Sequence, residues 1–146
     1  WGTWSLNYNQ LSGEGRFLFP REWGRETLFT FQKRERIEGA GNASAWMIDY
    51  SKDWNLKKLG VLNTTIGYGQ YYRTKVREAA LNKYAMPSND QLNIDLTYRT
   101  TGRLKGISLE YLLTYKGALE SNLNNDNFIL NKVNMYNHNV ILMYTL

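Results

Sequence analysis

The stretch LNIDLTYRTTGRLKGISLEYLLTY, residues 92–115, restricts the possible folds more than any other part of the chain. Leu92, Ile94, Leu96 and Tyr98 alternate with Asn93, Asp95, Thr97 and Arg99. Beyond the turn, Ile107, Leu109, Tyr111, Leu113 and Tyr115 alternate with Ser108, Glu110, Leu112 and Thr114. Successive side chains of a strand point to opposite faces, so this is a hairpin with one apolar wall and one polar wall. In a soluble sheet the apolar wall is the inside. In a membrane barrel the polar wall is.

The same period recurs along the chain. Over 3–10, Trp4, Leu6 and Tyr8 oppose Ser5, Asn7 and Asn9; over 43–52, Trp46, Ile48 and Tyr50 oppose Ala45, Met47, Asp49 and Ser51. Over 59–73, Leu62, Ile66, Tyr68 and Tyr72 oppose Asn63, Thr65, Gly67, Gly69 and Tyr71, and over 134–146 Tyr136, Val140, Leu142, Tyr144 and Leu146 share a face. No segment has the periodicity of a helix of any length. The predicted class is all-β and antiparallel, one domain across 1–146.

Several features bear on which wall is inside. Mean hydropathy is −0.55 although the chain holds 11 Tyr and 5 Trp, as suits a thin apolar shell rather than a filled centre. No run approaches the roughly 20 apolar residues of a membrane helix, whereas barrel strands are shorter and alternate. The connections 53–58 and 100–105 are short, while 74–90 and 117–133 are long and polar, the asymmetry of outer-membrane barrels. Aromatics also sit at strand ends on the apolar faces. Tyr98 is at the short-turn end, Tyr115 at the long-loop end, and Tyr136 and Tyr144 bracket Val140 and Leu142; Trp46, Tyr50 and Tyr68 join them as candidate membrane-interface residues. The competing reading is a soluble antiparallel sheet with Tyr along its edge and core. Against it stands the polar face, with Asp49, Asp95, Arg99, Glu110 and Lys116, together with Arg73. These are the candidate lumen residues. Since only a closed barrel satisfies every backbone group in a bilayer, the strands are expected to belong to a ring.

Three phrases are more specific than periodicity: GRETLFTFQKRERIEGAG at 24–41, LNKYAMPSNDQLNIDLTYRTTGRLKG at 81–106 and NKVNMYNHNVILMYTL at 131–146. Together they resemble the C-terminal part of OprD-type outer-membrane porins of Bacteroidetes-like bacteria, from about Gly24 onward. The resemblance implies a monomeric, about eighteen-stranded barrel with inward-folded loops. It also implies a ladder of basic side chains guiding anionic groups, with Arg34, Arg36, Arg73 and Arg99 as its candidates here. The expected function is passive diffusion of small hydrophilic solutes, amino acids or small carboxylates, across the bacterial outer membrane. The expected partners are lipid, lipopolysaccharide and the barrel-assembly machinery, the last through the C-terminal strand, although Leu146 stands where Phe is usual. There is room for six or seven strands of such a barrel. Parity among the strands favours treating 11–42 as one extracellular excursion, with 27–36 a strand extension or an inward-folded hairpin rather than another span. The alternative is a complete eight-stranded outer-membrane barrel with a structural, adhesive or lipid-modifying role. The chain opens at Trp1 with neither Met nor a signal sequence, which suits a removed signal peptide or a start inside a longer chain.

Other chemistry finds little purchase. The chain has no Cys, so neither a disulfide framework nor a thiolate metal site is available. The formal charge of +5 is scattered, apart from a loose group of Arg21, Arg25, Lys33, Arg34 and Arg36, and nucleic acid is not an expected partner. His138, the one histidine, shares a face with Val140 and Leu142, away from any triad. Asp95 and Glu110 on adjacent strands have the makings of a glycosidase pair, but pairing with Arg99 or Lys116 is the commoner meaning. The run Asn122, Asn124, Asn125, Asp126 and Asn127 lacks the spacing of a calcium loop. No enzymatic activity, cofactor or metal is expected.

Overall fold

The computed structural model describes residues 1–18, 32, 33, 35, 37–120 and 133–145. Arg34, Arg36, Leu146 and most of 27–36 lie outside the described residues. Six strands form one antiparallel meander: β1 (Thr3–Leu11), β2 (Ala43–Asn55), β3 (Gly60–Tyr72), β4 (Asn89–Thr100), β5 (Ile107–Ala118) and β6 (Met135–Tyr144), each paired with its neighbours in sequence. At 9 to 13 residues they match the roughly 9–11 that a tilted strand needs to cross a bilayer. Among the described residues β1 pairs only with β2 and β6 only with β5, so the sheet is open at both edges. The closed ring expected from sequence is not formed by these strands. No helix of the described residues is long and apolar enough to cross a membrane.

The register joins the apolar positions into continuous rows. Ile48, Tyr68, Leu92, Tyr115 and Tyr136 follow one another across β2 to β6, and Trp4, Tyr50, Ile66, Ile94, Leu113 and His138 form the next row. A slip of one residue would move every side chain to the other face, so such agreement over six strands defines the pairing. Strand ends differ from the sequence reading. β2 runs on to Asn55 because Trp54 and Leu62 continue the apolar row and Asn63 donates to Asp53 Oδ1 at 2.7 Å. β4 starts at Asn89, within the connection expected over 74–90, since Asn89 still pairs with Tyr71.

Long and short connections lie at opposite ends. The short ones follow β2 and β4, the second through a 3-10 turn over Gly102–Leu104. Gly60 closes the first at a φ of 139°, where a Cβ would run into the Arg99 carbonyl, a combination that only glycine meets. At the other end, two long connections pack together: Gly41 donates to Leu81 O at 2.8 Å, Lys83 donates to Gly39 O at 3.0 Å, and Ala40 bridges to Asn82. The Asn82 amide holds its own loop, donating to Thr74 O and Met86 O and accepting from Met86 N. A small apolar cluster of Ile37, Ala40 and Ala43, with Leu11 and Phe17 against it, fills the junction.

Burial is inverted relative to a soluble sheet. On the apolar face Leu6 is 76% exposed, Val140 71% and Leu142 72%, while on the polar face Gln91 and Asn89 are 0% exposed and Lys116 6%. The polar face is covered by part of the β1–β2 connection. Gln32, Lys33 and Glu35, separated from β1 in sequence, lie across β3, β4 and β5.

Candidate functional site

The strap, described at Gln32, Lys33 and Glu35, is held to the polar face by hydrogen bonds and by two ion clusters. Tyr71 on β3 donates to Gln32 Oε1 at 3.2 Å. On β4 the Gln91 and Asn93 amides donate to the Lys33 carbonyl at 2.7 and 3.1 Å, and Gln91 also donates to Asn93 Oδ1 at 2.8 Å. Alternation makes 89, 91 and 93 successive neighbours on one face, so three amides stand in file where the strap crosses. Gly67 and Gly69 make room for it. A Cβ at Gly69 would lie 2.8 Å from Trp46 O and 3.1 Å from Gln32 Oε1, and one at Gly67 3.3 Å from Gln32 Nε2. Glycine inside a strand marks such a close approach.

The inner ion cluster centres on Glu35. Its carboxylate lies 2.5 Å from Arg73 Nη2 and 2.6 Å from Lys116 Nζ, with all three side chains at most 7% exposed. Arg73 follows the end of β3 and reaches back over the end of β4, donating to Asn89 Oδ1 at 2.6 Å and Pro87 O at 3.2 Å. The outer cluster centres on Lys33, whose ammonium contacts Asp95 and lies 2.8 Å from Glu110 Oε1, with half of its side chain in solvent. Burial pulls the Lys33 pKa down, but hydrogen bonds and attraction from Asp95 and Glu110 outweigh it, and the ammonium is held above its ordinary value. Beside this cluster opens a recess of about 360 Å³, lined on the strand side by Ser5, Asp49, Thr65 and Asn93.

The candidates read from sequence therefore divide. Asp49, Asp95, Glu110, Lys116 and Arg99 are on the polar face by parity and register. Asp95 and Glu110 share Lys33 rather than pairing with Arg99 or Lys116, because the strap delivers an ammonium between them. Arg73 and Lys116 are sealed under the strap by Glu35. Arg99 is exposed near the short-turn end, in register with Val61 and Ser108, and Arg34 and Arg36 lie outside the described residues. Sequence reasoning missed Gln32, Glu35, Gln91 and Asn93 as a set, and placed Lys33 only in a loose basic group. The small residues Gly67 and Gly69 on a polar face were the available signal.

On the apolar face, aromatics cluster toward the strand ends. Trp46 packs edge-on against Tyr68 with centroids 5.7 Å apart and donates to Gln70 Oε1, and Tyr115 lies 4.8 Å from Tyr136. At the other end Tyr98 donates to Leu59 O at 2.6 Å and Tyr144 pairs with Ile107. Tyr50, expected at an interface, shares the row of Ile66 and Ile94 and packs against Trp4 at 4.7 Å. His138 is on the apolar face, hydrogen-bonded through Nδ1 to the Tyr111 hydroxyl at 2.9 Å. Among the described residues no group of three or more His, Cys, Asp or Glu is placed to hold a metal. Comparison with family models, with curated proteins and with solved structures yields no match.

Proposed function

We propose that this chain forms part of the wall of an outer-membrane β-barrel porin of the OprD type, in which small hydrophilic solutes, amino acids or small carboxylates among them, diffuse passively through a charged, water-filled lumen. The observation that carries this reading is the inverted burial: six strands expose a continuous apolar face and cover a polar one. Soluble monomers rarely expose a contiguous apolar patch beyond a few hundred Å², and a bilayer is the solvent that favours this arrangement. Strand length, the segregation of long and short connections and the aromatics near strand ends support the same reading. In it, the free edges of β1 and β6 pair with further strands, since an open edge is not tolerated in hydrocarbon. Lipid and lipopolysaccharide cover the apolar face, β6 is the strand read by the assembly machinery, and the strap narrows the pore. No chemical step is required; selectivity follows from width and field.

The absence of native cysteine allows a direct test. Single cysteines at Thr65 and Ser108 should react with a membrane-impermeant thiol reagent in the folded, membrane-embedded protein. Cysteines at Ile66 and Leu109 should react only with a lipid-dissolved probe. Protection of Ile66 and Leu109 positions from both reagents would mean that protein covers them, and the membrane reading would fail. Reconstitution in planar bilayers should then give steady, ohmic conductance, and a silent protein would leave a structural barrel in place of a porin.

A further inference from the structure

We infer that the short-turn end of the sheet is a docking surface for anionic phospholipid headgroups, formed by the basic side chains of the two turns and the apolar side chains between them; this rests on the membrane reading above. The formal charge of +5 is dispersed along the sequence, and the fold gathers it. Residues 52–58 and 99–105 carry Lys52, Lys57, Lys58, Arg99, Arg103 and Lys105 against Asp53 alone. These two stretches therefore hold the whole excess of positive charge, and the remainder of the chain is formally neutral. The register brings them together at one end of the sheet. Gly60 pairs with Thr100, Tyr98 donates to Leu59 O at 2.6 Å, and the Thr101 hydroxyl donates to Lys58 O at 3.1 Å.

Lys57, Lys58, Arg103 and Lys105 are exposed, and among the described residues none of them has an ion-pair partner. Lys57 is kept at a φ of 56°, a backbone conformation that glycine or asparagine adopts more easily. Like charges gathered at one end repel one another, and a layer of phosphates relieves that repulsion. Apolar side chains stand out among the cations: Leu56, Leu59 and Leu104 are exposed, Leu59 to 69%. Lys52 and Trp54 are on the apolar face by alternation, opposite Thr64 and Leu62, and the Lys52 ammonium lies 3.8 Å from the centroid of the Trp54 ring. A lysine stem laid along an apolar wall with its head at an indole is how a lipid-facing side chain brings its charge to headgroup level. A surface that is both basic and apolar gains from phosphate attraction and from shallow insertion together. Nucleic acid would meet the cations and leave the leucines in water. In a barrel the short turns lie at the leaflet opposite the long loops, so the charge is set against that leaflet.

Brominated phosphatidylglycerol and brominated phosphatidylcholine, which quench nearby indoles, are the probes. The Trp54 signal is the difference between the parent and Trp54→Phe. In bilayers with about one-fifth phosphatidylglycerol, quenching of that signal should correspond to enrichment of the anionic lipid by about five-fold, the attraction of one lysine near an anionic surface. In about 0.5 M salt the enrichment should fall. The fourfold variant Lys57→Gln, Lys58→Gln, Arg103→Gln and Lys105→Gln changes only exposed side chains and should bring the two lipids to parity. Lys75→Gln with Lys83→Gln, at the long-loop end, should leave the enrichment as it is in the parent. Equal quenching by the two lipids, or enrichment unchanged in the fourfold variant, overturns the inference and leaves the membrane reading standing. If neither lipid quenches Trp54, the membrane reading falls, and co-sedimentation of the folded chain with phosphatidylglycerol vesicles decides the inference separately. Binding that the fourfold variant loses keeps the docking surface on a peripheral protein, while no binding, or binding that the variant retains, removes it. Tighter binding to single-stranded DNA than to those vesicles would make the surface one for nucleic acid and overturn the inference as well.

Discussion

The two ion clusters beneath the strap use the same chemistry and differ in access to water. Around Glu35 the side chains are at most 7% exposed, and around Lys33 the lysine side chain is 50% exposed. In the first, one carboxylate serves two cations away from solvent, so each group depends on the others. In the second, water screens the attraction and can replace it. The difference separates an anchor, which fixes where the strap lies, from an adjustable bridge at the edge of the recess.

The sharpest way to break this comparison is at the anchor. Glu35→Gln removes the carboxylate that lies between buried Arg73 and Lys116, and breaking a buried pair from one side costs about 3 to 5 kcal/mol. Urea unfolding of the detergent-folded protein should show a loss of that size. The double variant Glu35→Gln with Lys116→Met removes one uncompensated cation and should recover part of it. A loss under about 1 kcal/mol in the single variant would place the cluster in water and erase the distinction.

What was legible in the sequence follows from what period two records. Alternation in 92–115 assigned Leu96 and Thr97 to opposite faces, and the register keeps them there, because one slipped residue would expose the wrong face along the whole strand. The inward fold of the β1–β2 connection was legible only as an option forced by strand parity. The pairing within it was not, since Gln91 reaches the Lys33 carbonyl 58 positions away and Lys33 reaches Glu110 77 positions away. Nothing local encodes such contacts. Arg73 shows the same limit from another side: alternation marks a base as polar-facing but does not distinguish one in open water from one sealed against Glu35. Nor does period two say whether the outer strands find partners, and here β1 and β6 leave the sheet open.

A middle-sized effect belongs to the seat of the strap. At Gly69 an added methyl would lie 2.8 Å from the Trp46 carbonyl, a backbone atom that cannot swing aside, and 3.1 Å from the Gln32 amide. Gly69→Ala should therefore cost about 1 to 3 kcal/mol, the range for overpacking, and lift the strap at Gln32. On the porin reading, conductance should change together with stability. Stability lost with conductance intact would mean that β2 and β3 absorb the strain and the strap does not move.

The smallest effect on stability is expected at the outer bridge, where function should change most per unit of stability lost. Lys33→Met removes the ammonium between Asp95 and Glu110, and with half of the lysine side chain in solvent the cost should be about 0 to 1 kcal/mol. The pH dependence has a definite sign. The Lys33 pKa is raised on folding, so its contribution is fully present below the ordinary lysine value of 10.5 and is lost only as pH rises through the higher folded value. Between neutral pH and about pH 10 the parent and Lys33→Met should differ by a constant small amount, and above that range the difference should close as the parent loses its ammonium. On the porin reading, reversal potentials give the functional readout: two carboxylates left without Lys33 should shift selectivity toward cations below about pH 10. A stability loss above about 2 kcal/mol in Lys33→Met, or a difference that closes near neutral pH, would make the outer bridge a second anchor and remove the contrast with Glu35.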